Sequence, residues 1–249
     1  MRLLLTGATG LVGSSALNHI LSLPPGQVSR LYILSRRPVP MADNHPNVTV
    51  IDHQDFTQYS PELLDTLKGV TGCIWALGVS QTEVTKEDYV KITVDYPLAA
   101  AKAFSTLSDS FNFVYVSGEG ATQSPGLLTP FFGRVKGECE QALIGLSSQY
   151  PSLKPYSVRP AMVDPTYDPQ VQQPYLQRPD QSTLAKKMLR GVLGPALRGA
   201  YPSAVSPTQY LGRFLTDLAS GDGKPLQGEG VTGEGRIISN KAFRREVGL

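Results

Sequence analysis

Short apolar runs recur along the chain, and the stretches between them place apolar residues at helical spacing. Such runs, bounded by glycine, proline or charged residues, are typical of strands that are buried in a parallel sheet. Strands are predicted on this basis at residues 3–5, 31–34, 48–51, 73–77, 111–116 and 156–158.

The intervening segments contain helix signals. Ala16, Leu17 and Ile20 repeat with the period of a helix, and Ser60 and Thr85 are residues that favour helix N-termini. Helices are predicted after residue 13, from residues 61 and 86, over 98–107 beyond a kink at Pro97, and over 131–148, 182–193 and 208–219.

Alternating strands and helices predict an α/β fold, a doubly wound parallel sheet with helices on both faces. We expect one domain over residues 1–249, because neither a repeat nor a linker interrupts the pattern. Residues 1–165 would form its core. Residues 166–249, rich in Pro, Gln and Tyr up to about residue 207, would form a small covering region and a glycine-rich tail.

The first strand leads into a turn with glycine at every third position, Gly7, Gly10 and Gly13. A glycine-rich turn between a buried strand and a helix suits a pyrophosphate, since backbone N–H groups can approach the anion closely. This motif makes the predicted sheet a Rossmann-type sheet. The alternative is an ordinary strand-turn-helix that tolerates glycines.

The end of the second strand reads Ser35-Arg36-Arg37, where an NAD-binding protein places an acidic residue against the ribose 2′-hydroxyl. A guanidinium binds a 2′-phosphate, whereas a carboxylate repels it. The sequence therefore favours NADP over NAD. A solvated turn before Pro38 is the alternative.

Composition excludes several function classes. The net charge is +2, and no basic run is interleaved with aromatic residues, so nucleic-acid binding has no support. Cys73, Cys139 and the three histidines show no metal-ligand spacing, and we propose no metal. No apolar run approaches the length of a membrane span, and the first strand leaves no room for a leader, so we expect a cytoplasmic protein.

Several motifs occur in one order: residues 6–13, Arg36-Arg37, Leu77-Gly78, Val116-Ser117, residues 136–138 (Lys-Gly-Glu) and Arg159-Pro160. In this combination the chain resembles the atypical short-chain dehydrogenase/reductases. It is similar above all to the Tat-interacting oxidoreductase-like branch and its fungal relatives, which are called nucleoside-sugar epimerase-like. The resemblance covers residues 1–165 closely and the remainder loosely.

The resemblance implies that NADP binds along the glycine turn and the ends of the following strands. Lys136 would hold the nicotinamide ribose, although an isolated lysine at that position would read as a surface residue. The implied contacts are Gly7, Gly10 and Gly13 on the pyrophosphate, Thr9, Leu11 and Val12 lining the turn, Arg36 with Arg37 at the 2′-phosphate, Asp55 near the adenine, Leu77 and Gly78 beneath the ribose, and Pro160 to Val163 at the carboxamide.

One departure from the family pattern concerns catalysis. The family's proton donor is a tyrosine four residues before the lysine, and this chain has Phe132 there. The usual Ser-Ser after the fifth strand reads Ser117-Gly118-Glu119, which leaves Ser117 as the remaining serine candidate. A positioned acid contributes roughly 10²- to 10⁴-fold in rate. Cofactor binding is therefore expected, whereas ordinary carbonyl reduction is not.

Other residues could supply an acid. Glu119 follows the fifth strand, where ligands collect in open α/β sheets. Burial beside a nicotinamide would favour its neutral form, although a solvated loop glutamate is the alternative. Tyr167 and Tyr175, in the covering region, are further candidates that could equally serve in packing.

Three function classes remain open. The first is an NADPH-dependent reductase acting on a carbonyl, C=N or activated C=C bond. The second is a non-redox isomerase, cyclase or dehydratase that uses the same pocket, and the third is an NADPH-binding regulator without catalysis. The sequence indicates no oligomeric state. A small, lipophilic substrate is suggested by apolar residues that could line its entrance, or form core instead: Leu127, Leu128, Phe131, Phe132 and Met162.

Overall fold

The computed structural model describes residues 1–178, 181, 191 and 194–249. Eight of its strands form one central sheet, and two form a small parallel pair. The strands are β1 (Arg2–Thr6), β2 (Arg30–Ser35), β3 (Val48–Asp52), β4 (Gly72–Trp75), β5 (Phe111–Val116), β6 (Leu153–Val158), β7 (Met162–Asp164), β8 (Val205–Pro207), β9 (Val231–Thr232) and β10 (Ile237–Ile238).

The helices lie between these strands in the chain. The predicted helix over residues 182–193 falls outside the described residues. The helices described are α1 (Leu11–Ser22), α2 (Pro61–Leu67), α3 (Lys86–Val90), α4 (Tyr96–Phe104), α5 (Phe131–Gln149), α6 (Pro169–Leu176), α7 (Gly194–Ala200), α8 (Thr208–Ser220) and α9 (Asn240–Glu246).

The central sheet has the spatial order β3-β2-β1-β4-β5-β6-β10-β9. Every neighbouring pair is parallel except β10 and β9. This order confirms the predicted Rossmann-type, doubly wound α/β fold. The strand order reverses direction between β1 and β4, and ligands bind open α/β sheets at such a switch point.

The core lies on both faces of the sheet because successive strand residues point to opposite sides. Leu3 and Leu5 belong to the cluster beneath α1, α8 and α9, and Leu4 belongs to the cluster beneath α2, α4 and α5. All three leucines are fully buried. The continuous apolar runs of the sequence therefore reflect a sheet that is covered on both faces.

Several predicted boundaries shift. β4 ends at Trp75, so Leu77 and Gly78 leave the sheet, and β6 begins at Leu153 and continues through Pro155. The predicted kink at Pro97 is present as a single π-helical turn, Lys91–Asp95, that separates α3 from α4. Proline lacks the N–H that a continuous helix would need there.

The glycine-rich tail contains structure that the sequence did not predict. β10 pairs with β6 and extends the central sheet, β9 pairs with β10, and α9 follows. The two strands have two residues each, which is too short for a recognisable period. The pair β7–β8 was missed for the same reason, with three residues in each strand.

Candidate active site

The glycine turn brings β1, the start of α1 and the segment after β4 into close contact. Gly7 has a φ of +72°, and a Cβ at Gly7 would lie 2.3 Å from the carbonyl oxygen of Ala76. A Cβ at Gly13 would lie 2.0 Å from the carbonyl oxygen of Gly7. No larger residue fits either position, so two glycines of the motif are required by the turn itself.

The middle glycine of the motif is less confined, since a Cβ at Gly10 would lie 3.2 Å from the Gly7 carbonyl oxygen. Gly10 is the N-cap of α1, and no side chain caps this helix. Its own N–H donates to the Gly7 carbonyl oxygen at 2.8 Å. The next N–H groups, of Leu11 and Val12, belong to the first turn of α1, where a helix has no internal acceptors for them. Such N–H groups form a site for an anion.

A cavity of about 460 Å³ lies at the switch point, in front of this turn. Predicted residues from five separate parts of the sequence border it. They are Gly10, Leu11, Val12, Leu77, Gly78, Ser117, Lys136, Pro160 and Val163.

The other predicted cofactor residues lie around this cavity or away from it. Gly7 and Gly13 shape the turn, and exposed Thr9 accepts a hydrogen bond from Arg178 through its carbonyl oxygen. Arg36 and Arg37 are exposed and follow β2, whose Leu34 is in register with Thr6 of β1. The two arginines therefore lie at the carboxyl-terminal ends of the strands, on the same side of the sheet as the glycine turn.

Asp55 follows β3, at the same carboxyl-terminal side of the sheet. It is exposed and borders a separate shallow cavity with His53 and Tyr59. Hydrogen bonds from the hydroxyl and N–H of Thr57 lower the pKa of Asp55. The structure thus does not place Asp55 on the central cavity.

Lys136 is the cationic group of α5 at the cavity. Its Nζ donates to the carbonyl oxygen of Ser117 at 2.6 Å. Burial of the ammonium lowers the pKa of Lys136 to about 8, although the nearby Glu140 carboxylate opposes that shift. Nζ has no other hydrogen-bond partner among the described residues, so two of its N–H donors are available to a ligand.

An ion pair between buried Glu140 and Arg159 lies beside Ser117, the residue that accepts the hydrogen bond from Lys136. Glu140, one turn further along α5, is completely buried. It accepts from Arg159 Nε at 2.8 Å and from the Ser117 hydroxyl at 2.6 Å. Because the only proton of the Ser117 hydroxyl is donated to Glu140, this serine cannot also donate to a substrate. Ser117 orients Lys136 through its carbonyl oxygen instead.

The tyrosine position is apolar in the structure as in the sequence. Phe132 lies one helical turn before Lys136 on α5, and its ring approaches Gly120. The hydroxyl of Tyr115, which also borders the cavity, donates to the Thr93 carbonyl oxygen at 3.3 Å. Burial raises the pKa of Tyr115 well above its ordinary value.

The alternative acids have other surroundings. Glu119 is exposed, and its carboxylate accepts the N–H of Asn240, the first residue of α9, at 3.1 Å. Tyr167 is 70% exposed. Neither residue borders the cavity, so its geometry favours neither as the proton donor.

A second cavity, of about 530 Å³, adjoins the first and shares Val163 and Tyr175 with it. Met162 lines it, as the sequence analysis suggested for a substrate entrance. Leu127 and Leu128 do not, being 99% and 97% exposed. The remaining lining residues described are Asp164, Pro165, Thr166, Gln172, Leu176, Gly191, Gly194 and Arg198.

The sequence analysis did not identify Arg178 and Gln181, which also border the first cavity, and considered Tyr175 only as an alternative acid. Tyr175 belongs to α6, which is fixed by a buried carboxylate. Asp168 accepts from Asn18 of α1 and from Thr208 of α8, both at 3.1 Å. These bonds join residues far apart in the sequence, so local periodicity gave no signal for them.

Two features are missing from the described residues. No group of three His, Cys, Asp or Glu side chains among them could hold a metal ion. No helix in the described parts of the chain has the length and apolar character needed to cross a membrane.

Comparison with known structures defines the class of protein. A short-chain dehydrogenase/reductase from Saccharomyces cerevisiae is 15% identical, with a TM-score of 0.63 over 96% of this chain and 95% of its own. The PhqB reductase domain from Penicillium fellutanum is 19% identical, with a TM-score of 0.64 over 96% of this chain, which spans 66% of that structure. WbmF from Bordetella bronchiseptica, solved with NAD⁺, is 12% identical, with a TM-score of 0.64 over 99% of this chain and 77% of its own. The fold is therefore that of NAD(P)-binding Rossmann-type reductases and epimerases.

Curated proteins then define the family. Leucinostatins biosynthesis cluster protein T of Purpureocillium lilacinum is 35% identical over 98% of this chain and 94% of its own length. Botcinic acid biosynthesis cluster B protein 16 of Botryotinia fuckeliana is 46% identical over 61% of this chain and 98% of its own length. No family model matches the chain. The chain belongs to one family with the leucinostatins biosynthesis cluster protein T, and its fold is that of the short-chain dehydrogenase/reductases, as its motifs predict.

Proposed function

We propose that the protein is an NADPH-dependent reductase that acts on a small, apolar molecule at a carbonyl, C=N or activated C=C bond. One observation carries this proposal. The glycine turn and Lys136 border the same cavity, and a second, largely apolar cavity adjoins it at Val163 and Tyr175. A cofactor and a substrate can therefore lie side by side.

The residues at the switch point fit a dinucleotide. Gly10 leaves room beside the free N–H groups of Leu11 and Val12, which suits a pyrophosphate. Arg36 follows β2, at the same carboxyl-terminal side of the sheet, and would offer a guanidinium to a 2′-phosphate. Lys136 would hold the nicotinamide ribose with one of its two remaining N–H donors, which leaves the other for the substrate. When bound, NADPH would supply a hydride to the substrate.

Lys136 is also the proton-holding group that this geometry favours. With its pKa at about 8, the ammonium is mostly protonated at neutral pH yet gives up a proton more readily than an ordinary lysine. Reduction of a carbonyl then adds hydride to carbon and the Lys136 proton to oxygen. Tyr175, which borders both cavities, is the second candidate donor.

The relatives support a role in the biosynthesis of small molecules. Their names assign them to the biosynthesis clusters of leucinostatins and of botcinic acid. An apolar product of such a cluster would match the lining of the second cavity, which includes Met162, Val163, Pro165 and Leu176.

The proposal is tested in two measurements on the purified protein. Calorimetric titration should show NADPH binding more tightly than NADH. NADPH absorbance should then fall in the presence of at least one compound from a panel of apolar ketones, imines and enones. Equal affinities for the two cofactors would contradict the NADPH assignment, and the lack of any NADPH binding would contradict the reductase.

A non-redox enzyme is the second candidate, because Phe132 removes the hydroxyl that ordinary ketone reduction uses. It predicts that mass spectrometry detects conversion of a substrate while the NADPH absorbance stays constant. Conversion matched by an equal loss of NADPH would exclude this candidate.

A further inference from the structure

The second cavity contains a charged pair within an otherwise mostly apolar wall. Asp164 and Arg198 are the charged residues among the described residues that line it. Asp164 ends β7 and is 7% exposed, whereas the side chain of Arg198, on α7, is 26% exposed. The pair has no net charge, and its cationic partner is the more accessible of the two.

A single nitrogen of Arg198 makes all of its contacts within the described residues. Nη1 donates to both carboxylate oxygens of Asp164 at 3.2 Å and to the Thr166 hydroxyl at 2.9 Å. Asp164 is further satisfied by the hydroxyl and the N–H of Thr166, at 2.6 and 3.2 Å. The Nε and Nη2 donors of Arg198 therefore have no partner in the described part of the chain.

We propose that Arg198 is a specificity-determining residue, which donates from Nε or Nη2 to an acceptor oxygen of a neutral, apolar substrate. Donors inside an apolar pocket favour a ligand with an acceptor, because leaving them unpaired costs free energy. The Asp164 carboxylate cancels the charge of the guanidinium, so an anionic ligand would be desolvated without net compensation. An amide, ester or ketone oxygen fits this site better than a carboxylate.

This inference rests on the proposed function, since it assigns the second cavity to the substrate, but it can be tested without turnover. Octanamide and octanoate are matched probes that differ in charge and have the same apolar chain. In ligand-detected NMR titrations, the wild type should bind octanamide about tenfold more tightly than octanoate.

Two substitutions separate the roles of the pair. Arg198→Gln should weaken octanamide binding about tenfold, because the shorter side chain removes the guanidinium Nε and Nη2 donors. Asp164→Asn keeps the shape and the acceptor oxygen for Thr166 but leaves Arg198 with a net positive charge. It should therefore reverse the preference towards octanoate. Arg213→Gln and Asp217→Asn are matched controls, because they alter an exposed Arg–Asp pair on α8 and should change neither affinity.

The outcomes distinguish this inference from the proposed function. Three results would overturn the role of Arg198. The wild type would prefer octanoate, it would bind neither probe, or Arg198→Gln would bind octanamide as tightly as the wild type does. Should Arg198→Gln fail to fold, the reversal in Asp164→Asn decides the question. NADPH titrations of the same samples test the proposed function separately, because octanamide selectivity in a protein that does not bind NADPH would support the pocket and contradict the reductase.

Discussion

The two cavities differ in the parts of the chain that form their walls. The first, the backbone cavity, lies at the ends of the parallel strands, where it is bordered by the backbone of the glycine turn and Gly7 packs directly on Ala76. The second, the side-chain cavity, is lined by residues of short elements, β7, α6 and α7. Asp164 joins β7 to α7, and Asp168 joins the start of α6 to α1 and α8. One cavity depends on the absence of side chains and the other on their identity.

This difference teaches where each kind of specificity arises. A backbone site recognises an anion through N–H groups that every residue possesses, so it suits a cofactor shared by many enzymes. A side-chain site can be changed one residue at a time without disturbing the sheet. Under the proposed function, the fold would fix the cofactor position, whereas β7, α6 and α7 would determine the substrate.

The largest expected effect comes from filling the backbone site. Gly10→Val places a branched side chain where the pyrophosphate would meet α1, and we expect it to abolish NADPH binding. Calorimetric titration measures the loss, and circular dichroism checks that the protein remains folded.

Gly145→Val is the matched control for that substitution, because a Cβ at Gly145 on α5 meets open space. It should retain NADPH affinity. Wild-type affinity in a folded Gly10→Val protein would show that the dinucleotide lies elsewhere, and the contrast between the two cavities would lose its basis.

The next largest effect concerns Lys136, the candidate proton donor at the first cavity. Lys136→Met should lower kcat by roughly 10²- to 10⁴-fold, the range for loss of a positioned acid. Because the pKa of Lys136 is lowered to about 8, the wild-type ammonium is lost as pH rises through that value. Wild-type kcat should therefore decline above about pH 8 and stay level below it.

Lys102→Met controls for the loss of a positive charge, since Lys102 is exposed on α4. Steady-state rates measured from pH 6 to pH 10 (roughly the range over which this group titrates) with the most active compound of the panel give the profile. A flat profile through pH 10, together with full turnover by Lys136→Met, would rule out Lys136 as the proton donor.

Several residues that the sequence singled out lie together at the backbone cavity. Gly7, Gly10 and Lys136 belong to motifs that remain recognisable because the strand order fixes where strand ends meet. Even there, the sequence could not show that the Ser117 hydroxyl is directed to Glu140 or that Glu119 contacts α9. Both contacts join elements whose relative orientation is set by packing.

The side-chain cavity was barely predictable. The sequence suggested Met162 as a lining residue but grouped it with Leu127, which is almost fully exposed. Arg198 gave no signal, because an isolated arginine is ordinarily a surface residue. Its role depends on Asp164, 34 positions away in the chain. Local patterns describe elements, and this cavity arises where short elements meet.

A hydroxyl restored at the family's usual position would sharpen the distinction between the cavities. Phe132→Tyr should leave NADPH affinity nearly unchanged, because the glycine turn and Lys136, which border the first cavity, are unaltered. Ketone reduction should accelerate, up to the general-acid range of about 10²- to 10⁴-fold, if a proton limits it. Reduction of an imine already protonated on nitrogen should change little.

Phe131→Tyr is the matched control, because the neighbouring Phe131 ring packs near Tyr89 instead. NADPH consumption with paired ketone and imine substrates measures the effect. The contrary result is rapid ketone reduction by the wild type, at a rate that Phe132→Tyr, Glu119→Gln and Tyr167→Phe all leave unaltered. That result would contradict the view that Phe132 indicates a changed chemistry.

The smallest expected effect concerns Arg36, whose side chain would add one contact to those that the backbone N–H groups of the glycine turn provide. Arg36→Ala should remove the preference for NADPH over NADH, which we expect to be several-fold to about tenfold for an exposed charge-assisted contact. Arg30→Ala, at the opposite end of β2, makes the same change in charge and should preserve the preference. Titrations at low and high salt measure the preference, which should shrink as salt screens the exposed guanidinium. Because the pyrophosphate would still be held by backbone N–H groups, NADH affinity should remain constant in Arg36→Ala. A fall in NADH affinity equal to that of NADPH would instead mean that Arg36 supports the turn itself and does not read the 2′-phosphate.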